Sequence, residues 1–167
     1  VRSGVRLGVD VGKARVGLSR SDLHGMLATP VETVPRSLGE AGTGSTPDAA
    51  PTPDLLRIAA VQAELDAIEV VVGLPLALSG AETASTADAK HFATELARAL
   101  PVPVRLVDER LSTVSATSAL RASGKKAKSH RPVIDQVAAV IILQHALDSE
   151  RGTGNAPGTT LSPNEGL

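Results

Sequence analysis

The chain has no cysteine, tryptophan or tyrosine, and Phe92 is its single Phe/Trp/Tyr residue. Without thiols, disulfide staples, thiolate nucleophiles and cysteine-ligated zinc are all excluded. One ring cannot build a platform on which successive bases stack, so nucleic acid would have to be held in another way. No apolar run reaches the ~20 residues of a membrane-spanning helix, and no signal-peptide pattern precedes the first predicted strand. A soluble, cytoplasmic protein with no membrane partner is expected. Charge of one sign is not in excess either: 17 Lys and Arg against 18 Asp and Glu leave a net charge of −1, which argues against a generally basic nucleic-acid binder. At 167 residues the length suits one domain with a proper core.

What is present is organised around Leu7-Gly8-Val9-Asp10-Val11-Gly12. Val5, Leu7, Val9 and Val11 share one parity, and Arg6, Gly8, Asp10 and Gly12 the other, the alternation of a β-strand. Asp10 therefore projects from the face carrying Gly8 and Gly12. An ionised carboxylate inside a sheet is costly unless a positive group or a metal compensates it.

The remaining pattern predicts an α/β fold. A glycine-marked turn at 12–15 leads to a second strand, Val16 to Ser21, and a turn at Asp22-Leu23-His24-Gly25 leads to a third, Met26 to about Val34. Pro30 makes that third strand an edge or a bulged one. Residues 36–53 are rich in Gly, Ser, Thr, Pro and Ala and read as a flexible insertion. Thr52-Pro53-Asp54 opens a helix with Leu55, Ile58, Ala59, Val61, Leu65 and Ile68 on its apolar side. Val70 to Leu74 reads as a buried strand, Thr83 to Leu100 as a second helix, and Val102 to Val107 as another buried strand. Ser112 caps a short predicted helix to about Ser123, with Gly124 ending it. Pro132 opens a last helix, apolar on every side from Val137 to Leu143. The expected architecture is a five-stranded mixed sheet, an antiparallel three-strand meander plus two parallel strands, flanked by helices. The domain spans 1–149, and residues 150–167 are expected to form a disordered tail.

Acidic residues stand at three places in this order: Asp10, Asp108-Glu109 after the last strand, and Asp135 in the first turn of the last helix. Clefts in open α/β sheets form beyond the carboxyl ends of the strands, which is where Asp108-Glu109 falls. Three carboxylates together require a cation, and Mg²⁺ or Mn²⁺ suits oxygen ligands and phosphodiester hydrolysis. From Arg110 to Ile134 there are six Lys or Arg residues and no Asp or Glu, a segment able to hold a phosphate backbone. Each point also has a plainer explanation. Asp135 can simply complement a helix dipole, Asp108-Glu109 can end a strand at the surface, and Lys125 to Arg131 can be a solvated loop. His24, His91, His130 and His145 lack metal-ligand spacing.

Four blocks carry a resemblance. They are Leu7 to Gly12 with Arg15-Val16-Gly17; Val71 to Pro75 with Gly80 and Glu82; Val107-Asp108-Glu109-Arg110-Leu111-Ser112-Thr113 with Ala116; and Ile134 to Leu143. Together they resemble the YqgF/RuvX family of ribonuclease H-like proteins. The resemblance implies a ribonuclease H-like fold with Asp10, Glu109 and Asp135 as catalytic metal ligands for Mg²⁺ or Mn²⁺. Asp108 is the alternative to Glu109; strand parity turns only one of the pair inward, and Glu109 is the expected one. Expected nucleic-acid contacts are Lys13, Arg15, Arg110, Ser112, Thr113, Arg121, Lys125, Lys126, Lys128 and Arg131. The implied activity is nucleolytic 5′-end maturation of precursor 16S ribosomal RNA by a monomer or homodimer. Resolution of four-way DNA junctions is the alternative and would demand a dimer, because two symmetric cuts need two sites. An actin-like or sugar-kinase ATPase would need a second domain for which the length leaves no room. A non-catalytic nucleic-acid-binding factor would be indifferent to loss of the carboxylates.

Overall fold

The computed structural model describes residues 3–37, 51–111 and 127–161, without the side chains of residues 111 and 127–135. The elements are β1 (Arg6–Val11), β2 (Arg15–Ser21), β3 (Ala28–Pro35), α1 (Pro53–Leu65), β4 (Glu69–Leu74), α2 (Ala84–Ala99), β5 (Val104–Asp108), a 3-10 turn (Glu109–Leu111), α3 (Ala127–Thr153) and β6 (Thr159–Leu161). They form one mixed sheet in the order β3-β2-β1-β4-β5-β6. β1 pairs antiparallel with β2 and parallel with β4, and β5 runs parallel to β4. β3 is an edge, and its register with β2 shifts between Leu18 and Ser19, so Pro30 sits on a strand that is both an edge and irregular.

The alternation in β1 divides the core. Val5, Leu7 and Val9 join Ile58, Val61, Phe92 and Leu96 in a cluster under α1 and α2. The opposite face receives α3 through Ala138, Ile142, Leu143 and Ala146. Fully burying a side chain such as Ile142 or Leu143 stabilises the fold by about 1.5–3 kcal/mol. α3 lies close to the sheet because Gly8 leaves room: a Cβ there would fall 2.2 Å from Ser19 Oγ and 3.0 Å from the Ala139 carbonyl oxygen. The Ser19 hydroxyl donates to that carbonyl at 2.8 Å and holds helix to sheet. At the other end of α3, Arg6, Glu69, Arg105 and Glu150 form a buried ion network. Arg6 Nη2 meets Glu150 at 3.1 Å and Arg105 Nε meets Glu69 at 2.5 Å.

Several expectations are corrected. The sheet has six strands rather than five, because residues 159–161 pair antiparallel with β5. Residues 150–161, counted with the tail from the sequence, carry the end of α3 and β6, where Arg105 also donates to the Thr160 hydroxyl at 2.8 Å. This added strand covers an edge of β5 that would otherwise expose unpaired amides. α3 begins at Ala127, so Pro132 lies inside it rather than opening it. Proline there lacks the N–H for the bond to the carbonyl four residues earlier and crowds that carbonyl with its ring, and both effects fall on the helix's first turns only. α3 is buried on one side only, with Val137 43 % exposed. α1 stops at Leu65, with Asp66 in the left-handed conformation, so Ile68 lies beyond it. Arg36 and Ser37, read as the start of the insertion, are anchored: the Ser37 N–H donates to Asp54 and the Arg36 N–H to the Ala14 carbonyl. The short helix predicted from Ser112 to Ser123, and positions 38–50 of the insertion, lie outside the described residues.

Candidate active site

Asp10 is 6 % exposed and sits one residue before the end of β1. Its cross-strand partner on β2 is Gly17. On the other side, Val9 pairs with Val72, which puts Gly73 of β4 beside Asp10. The carboxylate thus stands between two strands that present no side chain at its level, in addition to Gly8 on its own strand and Gly12 in the turn that follows. The Gly8 and Gly73 positions face α3, since a Cβ on Gly8 would lie 2.8 Å from Leu143 Cβ and one on Gly73 2.5 Å from Ile142 Cδ1.

The vacancy at Gly73 is filled by a second acid. A Cβ there would lie 2.7 Å from Glu109 Oε1 and 3.0 Å from Glu109 Cγ. The Glu109 carboxylate therefore lies across Gly73, one strand over from Asp10, reached by the 3-10 turn that follows β5. Asp108 has the opposite parity and a different environment. Arg110 clasps it through Nε at 3.1 Å and Nη2 at 2.7 Å, and the Arg110 N–H donates to it at 2.9 Å. That side-chain hydrogen bond holds the Asp108 carboxyl below the usual carboxylate range.

α3 brings the third acid to the same level. Ala139 lies over Gly8, as the Ser19 bond records. Gln136 Nε2 donates to Thr33 Oγ1 at 3.1 Å, and Thr33 continues the row through Gly17 to Asp10. The helix runs antiparallel to β1, and four helical residues rise ~6 Å while two strand residues span ~6.6 Å. The backbone of Asp135 is thereby placed at the level of Asp10, on the helix face shared by Ala138, Ala139 and Ile142. Among the described side chains, which do not include that of Asp135, no three acidic or histidine groups form a complete metal-holding set.

The expected nucleic-acid contacts are scattered or undescribed. Lys13 is exposed in the turn after β1, and Arg15 opens β2 half-buried. Arg110 is engaged by Asp108 and by the Leu78 carbonyl. Ser112, Thr113, Arg121, Lys125 and Lys126 lie outside the described residues, as do the side chains of Lys128 and Arg131.

Sequence reasoning missed Arg36 and Asp88. Arg36 Nη1 donates to the Gly12 carbonyl at 3.0 Å and to Asp88 at 2.6 Å, while Nη2 donates to the other Asp88 oxygen at 3.0 Å. Its guanidinium stacks 5.1 Å from the Phe92 ring centroid. The turn that follows Asp10 is thus tied to α2. The composition of 36–53 concealed this, because a bidentate Arg–Asp pair 52 positions apart has no local signature.

An antiparallel meander running into parallel strands, helices on both faces, and acids gathered at the carboxyl ends of the central strands define a ribonuclease H-like α/β protein. The profile of the RuvX family, described as Holliday junction resolvase, matches residues 4–149. The chain belongs to that family. It is 61% identical over 164 residues to a protein of Clavibacter michiganensis subsp. michiganensis, with 98% of this chain and 95% of that one covered. It is also 61% identical over 166 residues to one of Leifsonia xyli subsp. xyli, covering 99% of each. Both bear the name "Putative pre-16S rRNA nuclease". Among solved structures it is similar to T. thermophilus RuvC in complex with Holliday junction substrate, at 20% identity and TM-score 0.49, covering 90% of this chain and 97% of that one.

Proposed function

We propose that the chain is a nuclease that hydrolyses phosphodiester bonds in the 5′-end maturation of precursor 16S ribosomal RNA, acting in the cytoplasm with Mg²⁺ or Mn²⁺. The observation that carries this reading is the Glu109 carboxylate lying across Gly73, one strand from the buried Asp10. Carboxylate oxygens are the donors these hard cations prefer, so the residues present fit such an ion. Asp10 and Glu109 would hold it, with Asp135 as the third ligand from α3. When bound, the ion supplies positive charge against the phosphate and acidifies water.

The chain's own groups prepare the site. Gly17 and Gly73 keep side chains of their own away from Asp10, and at Gly73 the space is taken by the Glu109 carboxylate, so the two acids stand on neighbouring strands. Asp108, neutralised by Arg110, adds little repulsion toward an approaching phosphate. Lys13 and Arg15 at the turn, with the basic positions from Arg121 to Arg131, are the groups that hold flanking phosphates. Residues 1–149 form the nuclease domain in this reading, and β6 completes its sheet.

The test incubates the protein with precursor 16S rRNA and with a four-way DNA junction, with Mn²⁺, with Mg²⁺ and with chelator. Cleavage of the RNA that needs the ion and disappears in Asp10→Asn and Asp135→Asn is expected. Activity surviving either substitution sinks the three-carboxylate site. The family description favours the junction as a second substrate; paired symmetric cuts by a dimeric species would establish it.

A further inference from the structure

A cavity of about 450 Å³ opens where β6 begins, between α2, α3 and the last residues of β5. This volume lies within the ~300–1,000 Å³ typical of small-ligand sites. Leu74, Val107 and Pro157 give it apolar walls, Lys90, Asp108, Ser149 and Thr159 add polar groups at its border, and the His145 ring borders it from α3.

The sheet supplies a polar group. The Val70 N–H donates to the Pro103 carbonyl at 3.0 Å, which fixes the alternation along β5. Pro103 directs its carbonyl, and residues 105 and 107 their N–H groups, to β4; residues 104, 106 and 108 direct theirs to the β6 side. β6 meets Val104 through Leu161 and Leu106 through Thr159, and then stops. The next amide in that set belongs to Asp108, which also lines the cavity. The cavity therefore combines apolar walls, one ring and a backbone N–H at its sheet edge. It adjoins the residue that precedes Glu109.

We propose that this cavity is a nucleobase subsite, which takes one unstacked base of the single-stranded RNA beside the cleaved bond. The proposal rests on the nuclease reading for its substrate class. The composition leaves few other places for a base: there is no Trp or Tyr, and Phe92 is 4 % exposed within the core. Sequence-specific recognition of RNA works mainly on unstacked bases, held against rings or apolar groups and hydrogen-bonded at their edges. His145 and the aliphatic walls offer the first, and the Asp108 N–H the second. The cavity thus selects a substrate with an unpaired nucleotide at a fixed distance from the acids.

The experiment measures binding, so it does not depend on cleavage. A short single-stranded RNA from the precursor 5′ extension is labelled, and one nucleotide at a time is made abasic. Affinities are read by fluorescence anisotropy for the natural protein, for Ser149→Phe, which fills the cavity from α3, and for His145→Ala, which removes the ring. One position is expected at which loss of the base weakens binding by the natural protein about tenfold. At that position the penalty falls to twofold or less in both variants. A penalty of equal size in the variants, no position with a penalty, or no RNA binding overturns the subsite. If Ser149→Phe does not fold, His145→Ala decides alone. Cleavage followed in the same samples separates the two readings. RNA cut without a variant-sensitive base refutes only the subsite; such a base without cutting refutes only the nuclease.

Discussion

Adding one methyl group at Gly73 probes the acidic site from underneath. In Gly73→Ala the new Cβ would lie 2.5 Å from Ile142 Cδ1, 2.7 Å from Glu109 Oε1 and 3.0 Å from Glu109 Cγ. Real Cβ atoms need nearly an ångström more than the first two distances allow, so both neighbours must move. Overpacking of this kind typically costs about 1–3 kcal/mol, against which alanine recovers about 0.5–1 kcal/mol of strand propensity. The net loss corresponds to a fall in Tm of roughly 0–10 °C for a chain of this size. The catalytic effect is expected to be larger in proportion, because displacing a reacting group by ~1 Å can lower the rate ~100-fold. Thermal melts and single-turnover cleavage of precursor rRNA with Mn²⁺ give the two numbers. The double variant Gly73→Ala, Ile142→Val separates them: it relieves the aliphatic clash but not the one with the carboxylate. Stability is expected to return while activity stays low. Full cleavage by Gly73→Ala would refute the reasoning, since the Glu109 carboxylate would then be dispensable where it lies.

Other expectations follow from the surrounding contacts. Arg36→Ala should lower kcat roughly ten- to hundredfold with KM changed less than about twofold, because it loosens the turn behind Asp10 without touching substrate. Arg36→Lys should recover part of the loss, and a drop in Tm without a change in kcat would confine Arg36 to the fold. Glu69→Gln takes the carboxylate partner from Arg105 and leaves Arg6 with Glu150 alone, a change of about 3–5 kcal/mol that should lower Tm by roughly 6–20 °C. A melt within a few degrees of the natural protein contradicts that. The Asp108 carboxyl is depressed by Arg110, so its contribution to stability is present above the ordinary carboxylate pKa of ~3.9 and is lost as the pH falls through the lower folded-state value. Arg110→Ala should move the Asp108 titration, followed by NMR, up toward ~3.9 and remove that acid-side increment; an unmoved titration rules out Arg110 as its cause.

Much of this arrangement was legible in the residues. Parity alone put Asp10 on the glycine face of β1, and the continuous Val70-Val71-Val72 run marked a strand covered on both sides. Periodicity cannot report register, however. That Gly17 and Gly73 flank Asp10 follows from strand pairing between segments up to 63 positions apart, and neither glycine is exceptional in its own neighbourhood. β6 escaped for a related reason. Residues 159–161 are too short and too polar to read as a strand, and they become one only because β5 offers an open edge and Arg105 a partner for Thr160. The insertion misled through composition, which says how a segment behaves on average and not that one arginine at its start has a specific seat on Phe92.

α3 touches the candidate site with its first half and the buried ion network with its second. A helix is stiff along its axis, and from Asp135 to Glu150 it spans ~22 Å. The ion pair between Arg6 and Glu150 therefore acts as the zero mark of a ruler whose far reading is the position of Asp135 along β1. Variants at that distant end should shift the reading without altering any group near the phosphate. In an activity screen they would pass for catalytic residues, and only a structure would reveal that what changed was a length.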